Sequence, residues 1–329
     1  MKKNKPETEF LFVGTKSGPE KQAVEGYKIP FKAISSGKLR RYFSWSNFID
    51  PLKVIWGFFQ SLSLILKFKP NAVLIAGSFV GVPAAWSAWL LRKPILVHQQ
   101  DVIAGLANKL MANLAERITV SFDFSLKDFA KNKTVLTGNP VREEYYVCDP
   151  IKSKTFFNLK EGLPLVLICG GGTGSVKVNE VVEQSLAELL QFCQVIHLTG
   201  KGKKMDIKAD NYHQFEFLTN EMTEALCASD LVVNRAGMST LSELSILAKP
   251  SIIIPIGNSH QEFNARYFQK NNAILNLSEK TLNNEIFTNA VKEILFDDAL
   301  RENLSRNISK MMGRDGAEKA AKIVLEIAR

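Results

Sequence analysis

Three short stretches combine glycine, hydroxyl and charged side chains at spacings that suit a phosphorylated ligand. The first is "GGGTGS", Gly170 to Ser175, between the strand-like "PLVLIC" and the helix-like "VKVNEVVEQSLAELL". At such a turn, backbone N–H groups at a helix start face an anion, and glycine lets the main chain approach it. The second is "NRAGMSTLSEL", Asn234 to Leu244: a strand end, a glycine turn, then a helix beginning near Ser239 and Thr240. Hydroxyls and N–H groups there suit a pyrophosphate, and Glu243, a turn further in, can accept two sugar hydroxyls. The same Ser/Thr-to-Glu spacing is also that of a capping box. The third is "NSHQEFNARYF", Asn258 to Phe268, which sets His260, Gln261 and Asn264 on neighbouring helix faces after an apolar strand. A polar helix start is the plain structural alternative.

The glycine stretch fits neither common nucleotide fingerprint. A dinucleotide turn needs G-x-G-x-x-G and an acid about 20 residues on, and neither the third glycine nor the acid is in place. A Walker loop needs a Lys-Ser or Lys-Thr pair after its last glycine, and none is present. Metal chemistry is not expected either: the four histidines are scattered and no D-x-D pair occurs. A leaving diphosphate would then be neutralised by N–H groups, helix dipoles and an arginine, for which Arg142 and Arg235 are available. Each arginine alone equally fits a structural salt bridge.

All three stretches follow apolar, strand-like runs that alternate with helix-like ones. "EFLFVG", "FKAIS", "AVLIAG", "PILVHQ" and "RITVSF" read as strands of the first half, with helices at Pro51 to Lys67, Pro83 to Leu91 and Ala104 to Leu114. Asp50 before Pro51 reads as an N-cap followed by proline at the first helical position. "PLVLIC", "QVIHLT", "FEFL", "LVVN" and "SIIIPI" read as strands of the second half. Fully apolar strands alternating with helices indicate parallel sheets covered on both faces, so the fold class is α/β with two doubly wound domains. Open sheets of this kind bind ligands beyond the carboxyl ends of their strands.

Composition narrows the setting. The 329 residues are 46% apolar, enough for packed cores, with a net charge of +9. Eight basic residues and one acid fall between Tyr27 and Lys69, among Trp and Phe side chains, a patch suited to an anionic surface. No nucleic-acid-binding module is present. The longest apolar run, Val54 to Leu66, is shorter than the about 20 residues needed to span a bilayer. Cys148, Cys169, Cys193 and Cys227 lack metal spacing and read as buried free thiols of a reducing compartment.

"HQQDVIAGLANKL", "GNPVR", "GGGTGSVKVN", "NRAGMSTLSELSILAKP" and "HQEFNA" occur in one order, and together they resemble the MurG family. That resemblance runs from about Glu9 to the C-terminus. It implies the GT-B arrangement, two Rossmann-like domains facing a cleft. Residues 1–141, completed by a helix at about 315–329, would form the acceptor and membrane-facing domain, and 142–314 the UDP-sugar domain. The activity implied is inverting transfer of N-acetylglucosamine from UDP-N-acetylglucosamine to the C4 hydroxyl of undecaprenyl-diphospho-N-acetylmuramoyl-peptide, without cofactor or metal, on the cytoplasmic face of the cell membrane. By position, Glu243 would bind the ribose, the Gly237–Thr240 turn with Ser239 the diphosphate, and Leu218 would lie near uracil. Arg142, Gly171 and Gly172 would line the donor site, and His260, Gln261 and Asn264 would meet the sugar. Gly77, Ser78 and Gly81 of "AGSFVGVP" would receive the acceptor diphosphate. Trp56, Phe58 and Phe59, with Arg40, Arg41 and Lys53, would dock on an anionic membrane surface.

The chain departs from the family pattern in three places, one of them the glycine loop, which has Gly172 and Thr173 where the family commonly has serine and glutamine. The family's first strand and its "GGTGGH" loop are absent, so the first domain lacks a central βα unit. The expectation is that about 30 residues forming that unit are encoded upstream of Met1; supply by another chain, or loss of turnover, are the other readings. The family's "HEQN" reads "HQQD", which leaves Asp101 and His98 as candidate catalytic groups. Competing functions are a related UDP-sugar glycolipid glycosyltransferase, a UDP-N-acetylglucosamine 2-epimerase, and a UDP-sugar-binding protein that no longer turns over.

Overall fold

The computed structural model describes all residues except 4, 17, 19, 38–45, 173 and 329, and all side chains except those and 22, 23 and 46–49. Arg40, Arg41 and Thr173 therefore lie outside the described residues. The chain divides into two compact units, Met1–Gly138 with Asp315–Arg329, and Asn139–Arg314.

Unit 1 runs β1 (Phe12–Gly14), α1 (Glu20–Gly26), β2 (Phe31–Ala33), α2 (Ser46–Phe68), β3 (Val73–Ile75), α3 (Gly81–Leu90), β4 (Ile95–Gln99), α4 (Leu106–Ala112), β5 (Arg117–Val120) and β6 (Thr134–Leu136). All pairings are parallel. They form a four-stranded sheet in the order β3-β4-β5-β6 and a separate two-stranded sheet, β1-β2. The hydrogen-bonded ladder is interrupted between β1 and β3, where the family resemblance puts a further strand. β3 is an end strand of the larger sheet, and Leu74 at its middle is 48% exposed. Ile75 and Val97 of the larger sheet pack with Val82 and Ala85 of α3 and Met111 of α4. The final helix of the chain, Gly316–Ile327, returns to this unit, where its Val324 and Ile327 pack with Leu96 of β4.

The start of α2 differs from the expectation. The helix begins at Ser46 and carries Pro51 inside it. Asp50 is buried and pairs with Lys53 Nζ at 2.9 Å, an i,i+3 contact along the helix rather than an N-cap. The missing proline N–H costs one bond near the helix start.

Unit 2 runs α5 (Glu144–Val147), α6 (Pro150–Phe156), β7 (Leu165–Cys169), α7 (Val176–Leu189), β8 (Gln194–Leu198), β9 (Tyr212–Phe215), α8 (Met222–Ala228), β10 (Leu231–Asn234), α9 (Met238–Leu247), β11 (Ser251–Ile253), α10 (His260–Lys270), β12 (Leu275–Asn276), α11 (Asn284–Phe296) and α12 (Asp298–Ile308), before the final helix, α13. Its six strands are all parallel, in the order β9-β8-β7-β10-β11-β12. Every residue of β7, β8 and β10 is buried, because helices cover both faces of the sheet. β9 lies three residues before the run "FEFL" that suggested it.

The cysteine expectation is corrected for one pair. Cys148, which ends α5, and Cys227 of α8 form a disulfide with their Cα atoms 6.2 Å apart. Cys169 and Cys193 are free and buried, as expected. The paired residues are 79 apart in sequence, so no local spacing reveals them.

Candidate functional site

β7 is the first strand of unit 2 and lies at its centre, with β8 on one side and β10 on the other. The direction of winding reverses there, and doubly wound sheets bind ligands at that crevice. Cys169, the last residue of β7, is in register with Asn234, the last of β10. The glycine stretch from Gly170 and the "NRAG" turn from Asn234 therefore emerge side by side. Gly174 has φ +69°, and a Cβ there would stand 2.1 Å from the Thr199 carbonyl oxygen. No other residue fits so close a backbone approach. Gly171 and Gly172 are exposed, and a Cβ on Gly172 or Gly237 would meet nothing within 4 Å, so the space above both turns is open. Ser175 caps α7 by accepting from Val178 N–H at 3.3 Å.

The helix α9 starts differently from a capping box. Its N-cap is Gly237 and no side chain caps it, so its first N–H groups keep their outward direction. Ser239 is exposed, Thr240 half-buried. Glu243 turns instead toward "GNPVR": its Oε1 lies 4.0 Å from Nη2 of Arg142. Asn139 fixes that segment to the helix by donating to Ser242 Oγ at 2.9 Å. Tyr145 of α5 completes the group. Arg142 Nη2 donates to its hydroxyl, and the Arg142 guanidinium lies over its ring, Cζ 4.9 Å from the centroid. Burial raises the Glu243 carboxyl to about 7, against the lowering effects of Arg142 and Tyr145. Burial, and then the Glu243 charge, raise the Tyr145 phenol to about 12. The sequence does not single out Tyr145. Its only signal is an aromatic three residues after the arginine.

The remaining unit 2 residues divide between surface and support. His260 is exposed and Gln261 half-buried at the start of α10. Gln261 Oε1 accepts from Ile256 N–H at 3.0 Å, closing the turn before the helix. Asn264 is fully buried and donates to the Ala236 carbonyl at 3.1 Å, so it holds the glycine turn from beneath. Leu218 is buried, in the loop after β9. Arg235 is 5% exposed and donates to Glu279 at 2.7 Å and to Ser175 Oγ at 3.1 Å. It bridges loops, while Arg142 is the half-exposed arginine of the group.

Unit 1 carries the other candidates. His98, near the end of β4, is buried, with its ring bonded to Thr119 Oγ1 at 2.8 Å. Gln99 is 2% exposed; its amide donates to the Asp101 and Ile103 carbonyls at 2.8 and 3.1 Å and accepts from Asn108 at 2.6 Å. A carboxylate could not make those two donations, which accounts physically for glutamine in "HQQD". Asp101 sits half-buried in the turn that Gln99 shapes. Gly77 (φ +86°) and Ser78 (φ +73°) form a left-handed turn leading to Gly81, the first residue of α3. Leu52, Ile55, Trp56 and Phe59 stand exposed along α2, with Phe58 half-buried. No helix among the described residues is long and apolar enough to cross a membrane, and no group of three or more His, Cys, Asp or Glu among them could hold a metal ion.

Residues 1–120 match the glycosyltransferase family 28 N-terminal domain, and residues 165–322 the family's C-terminal domain. A relative from Clostridium tetani, named UDP-N-acetylglucosamine--N-acetylmuramyl-(pentapeptide) pyrophosphoryl-undecaprenol N-acetylglucosamine transferase, is 37% identical over 94% of this chain and 87% of its own length. The chain belongs to the MurG family, within glycosyltransferase family 28. A MurG-family relative of the same name from Legionella pneumophila is 34% identical over 96% of this chain and 88% of its own. The fold likeness is wider than the family. The crystal structure of Acinetobacter baumannii MurG aligns with TM-score 0.72 at 18% identity, over 97% of this chain and 91% of that one. The UDP-GlcNAc 2-epimerase from Neisseria meningitidis bound to UDP-GlcNAc aligns at 0.67 and 12%, over 96% and 98%. Both likenesses match two Rossmann-like domains of the GT-B kind.

Proposed function

We propose that this glycosyltransferase moves N-acetylglucosamine from UDP-N-acetylglucosamine to the C4 hydroxyl of a muramoyl-peptide carried on undecaprenyl diphosphate. The observation that carries the reading is the Glu243–Arg142–Gly237 arrangement at the switch point of unit 2, in a chain 37% identical to a transferase of that name. Glu243 accepts the ribose hydroxyls, and Arg142 with the α9 N-terminus takes the diphosphate. Gly171 and Gly172 give the sugar phosphate room, Leu218 flanks uracil, and His260 and Gln261 meet the sugar. Asn264 supports the turn instead of touching the ligand, since its amide is buried against Ala236.

The reaction is a direct displacement at the anomeric carbon, with inversion. A base removes the acceptor hydroxyl's proton, and N–H groups with Arg142 stabilise the departing UDP. Of the two unit 1 candidates, Asp101 is the better placed, because the His98 ring is buried against Thr119. The Gly77–Gly81 turn at the start of α3 receives the acceptor diphosphate. The exposed apolar stripe of α2 rests on the cytoplasmic face of an anionic membrane, a mode of attachment that aromatic side chains and basic neighbours support.

The test is incubation of the protein with radiolabelled UDP-N-acetylglucosamine and a lipid-linked muramoyl-peptide. Labelled disaccharide lipid and free UDP are expected. Label on a diacylglycerol acceptor instead would favour the glycolipid reading, and UDP binding without transfer to any acceptor would favour a binding protein.

A further inference from the structure

Arg142 and Glu243 carry opposite charges in a largely buried place, yet Nη2 of Arg142 stands 4.0 Å from Oε1 of Glu243, beyond hydrogen-bond reach. Arg142 donates instead to the Tyr145 hydroxyl, and its guanidinium lies over the Tyr145 ring, Cζ 4.9 Å from the centroid, so this one side chain holds the arginine off the carboxylate.

The hydroxyl's place is fixed by packing and by a tether. Tyr145 is 2% exposed, so its ring cannot turn away. It lies on a helix of four residues, too short to hold itself. That helix is fastened to α8 by the disulfide from Cys148, one helical turn beyond Tyr145, to Cys227.

We propose that Tyr145 is a positioning residue of the donor site, whose hydroxyl spaces Arg142 from Glu243 so that one meets the diphosphate and the other the ribose. This rests on the donor-site assignment above. Without the hydroxyl, Arg142 closes on Glu243 as a direct ion pair, and each charge is presented to the other rather than to the nucleotide. The phenyl ring of Y145F fills the same space, so the substitution isolates the hydroxyl.

The experiment is a double-mutant cycle of Y145F and E243Q, read by calorimetry with UDP and by melting of the ligand-free proteins. In the parent background Y145F should weaken UDP binding about five- to tenfold. In the E243Q background it should cost less than about twofold, because the partner through which Tyr145 acts is already changed. KM for UDP-N-acetylglucosamine should rise with kcat little altered. Equal losses in both backgrounds, in binding and in melting, would mean that Tyr145 only packs, and would overturn the proposal. Coupling in ligand-free melting, with no UDP binding by the parent protein, would uphold the Tyr145–Glu243 linkage and overturn the nucleotide assignment and the donor-site role with it.

Discussion

On the proposed donor-site assignment, Glu243 makes nucleotide binding and stability respond oppositely to pH. Burial lifts its carboxyl from 4.5 to about 7, so the folded protein holds the proton where the unfolded chain has released it. The contribution of this group to stability is full below about 4.5 and is lost as pH rises through about 7. The ribose hydroxyls need the carboxylate, so UDP affinity should rise across the same upper range while the ligand-free protein loses stability. Calorimetry from pH 6 to 8, set to bracket the value of about 7, would show it, and E243Q should flatten both trends. A parent profile as flat as that of E243Q would remove Glu243 from the ribose. E243A should cost about 1–3 kcal/mol in UDP binding through lost charge-assisted hydrogen bonds. Gln99 yields a prediction against intuition. Restoring the family's residue with Q99E sets a buried carboxylate against the carbonyls of Asp101 and Ile103, and should destabilise the protein by about 1–3 kcal/mol. An unchanged melting temperature would show that the turn tolerates the acid.

Among elements, α5 depends most on its surroundings. The Cys148–Cys227 bond closes 79 residues of sequence between α5 and α8, so reducing it should lower unfolding free energy by about 2–4 kcal/mol. Melting with and without dithiothreitol measures this, and C148S should not respond to the reductant. Identical curves for the parent protein in both conditions would show that the link does not matter to the fold. The sequence makes the neighbouring strands legible and this link invisible, for one reason. Leu165–Cys169 is apolar throughout and Leu231–Asn234 at all but its last position, because both faces of the sheet are covered, and that pattern is local. Glycine turns are local too, and Gly170, Gly174 and Gly237 mark their loops in the sequence. What joins Arg142 to Glu243, Cys148 to Cys227 or Asn264 to Ala236 is set by tertiary placement, which periodicity does not carry. Pro51 misleads for a related reason. Its dipeptide with Asp50 fits an N-cap, but the helix already begins at Ser46.

Across the whole molecule, charge and apolar exposure coincide in unit 1. The net charge is +9, and Trp56 and Phe59 are 61% and 56% exposed on α2. Binding to vesicles containing anionic lipid should fall at least about tenfold in W56E/F59E, from lost apolar burial, and weaken in the parent as salt screens the basic residues. Vesicle binding unaffected by both changes would place the attachment elsewhere. The last helix of the chain has a different kind of consequence. Val324 and Ile327 cover Leu96 in unit 1, although unit 2 intervenes in the sequence. On the ribosome, then, the strand carrying Leu96 emerges long before its cover is translated. Unit 1 must wait for synthesis to finish, its apolar strip meanwhile a natural landing place for a chaperone.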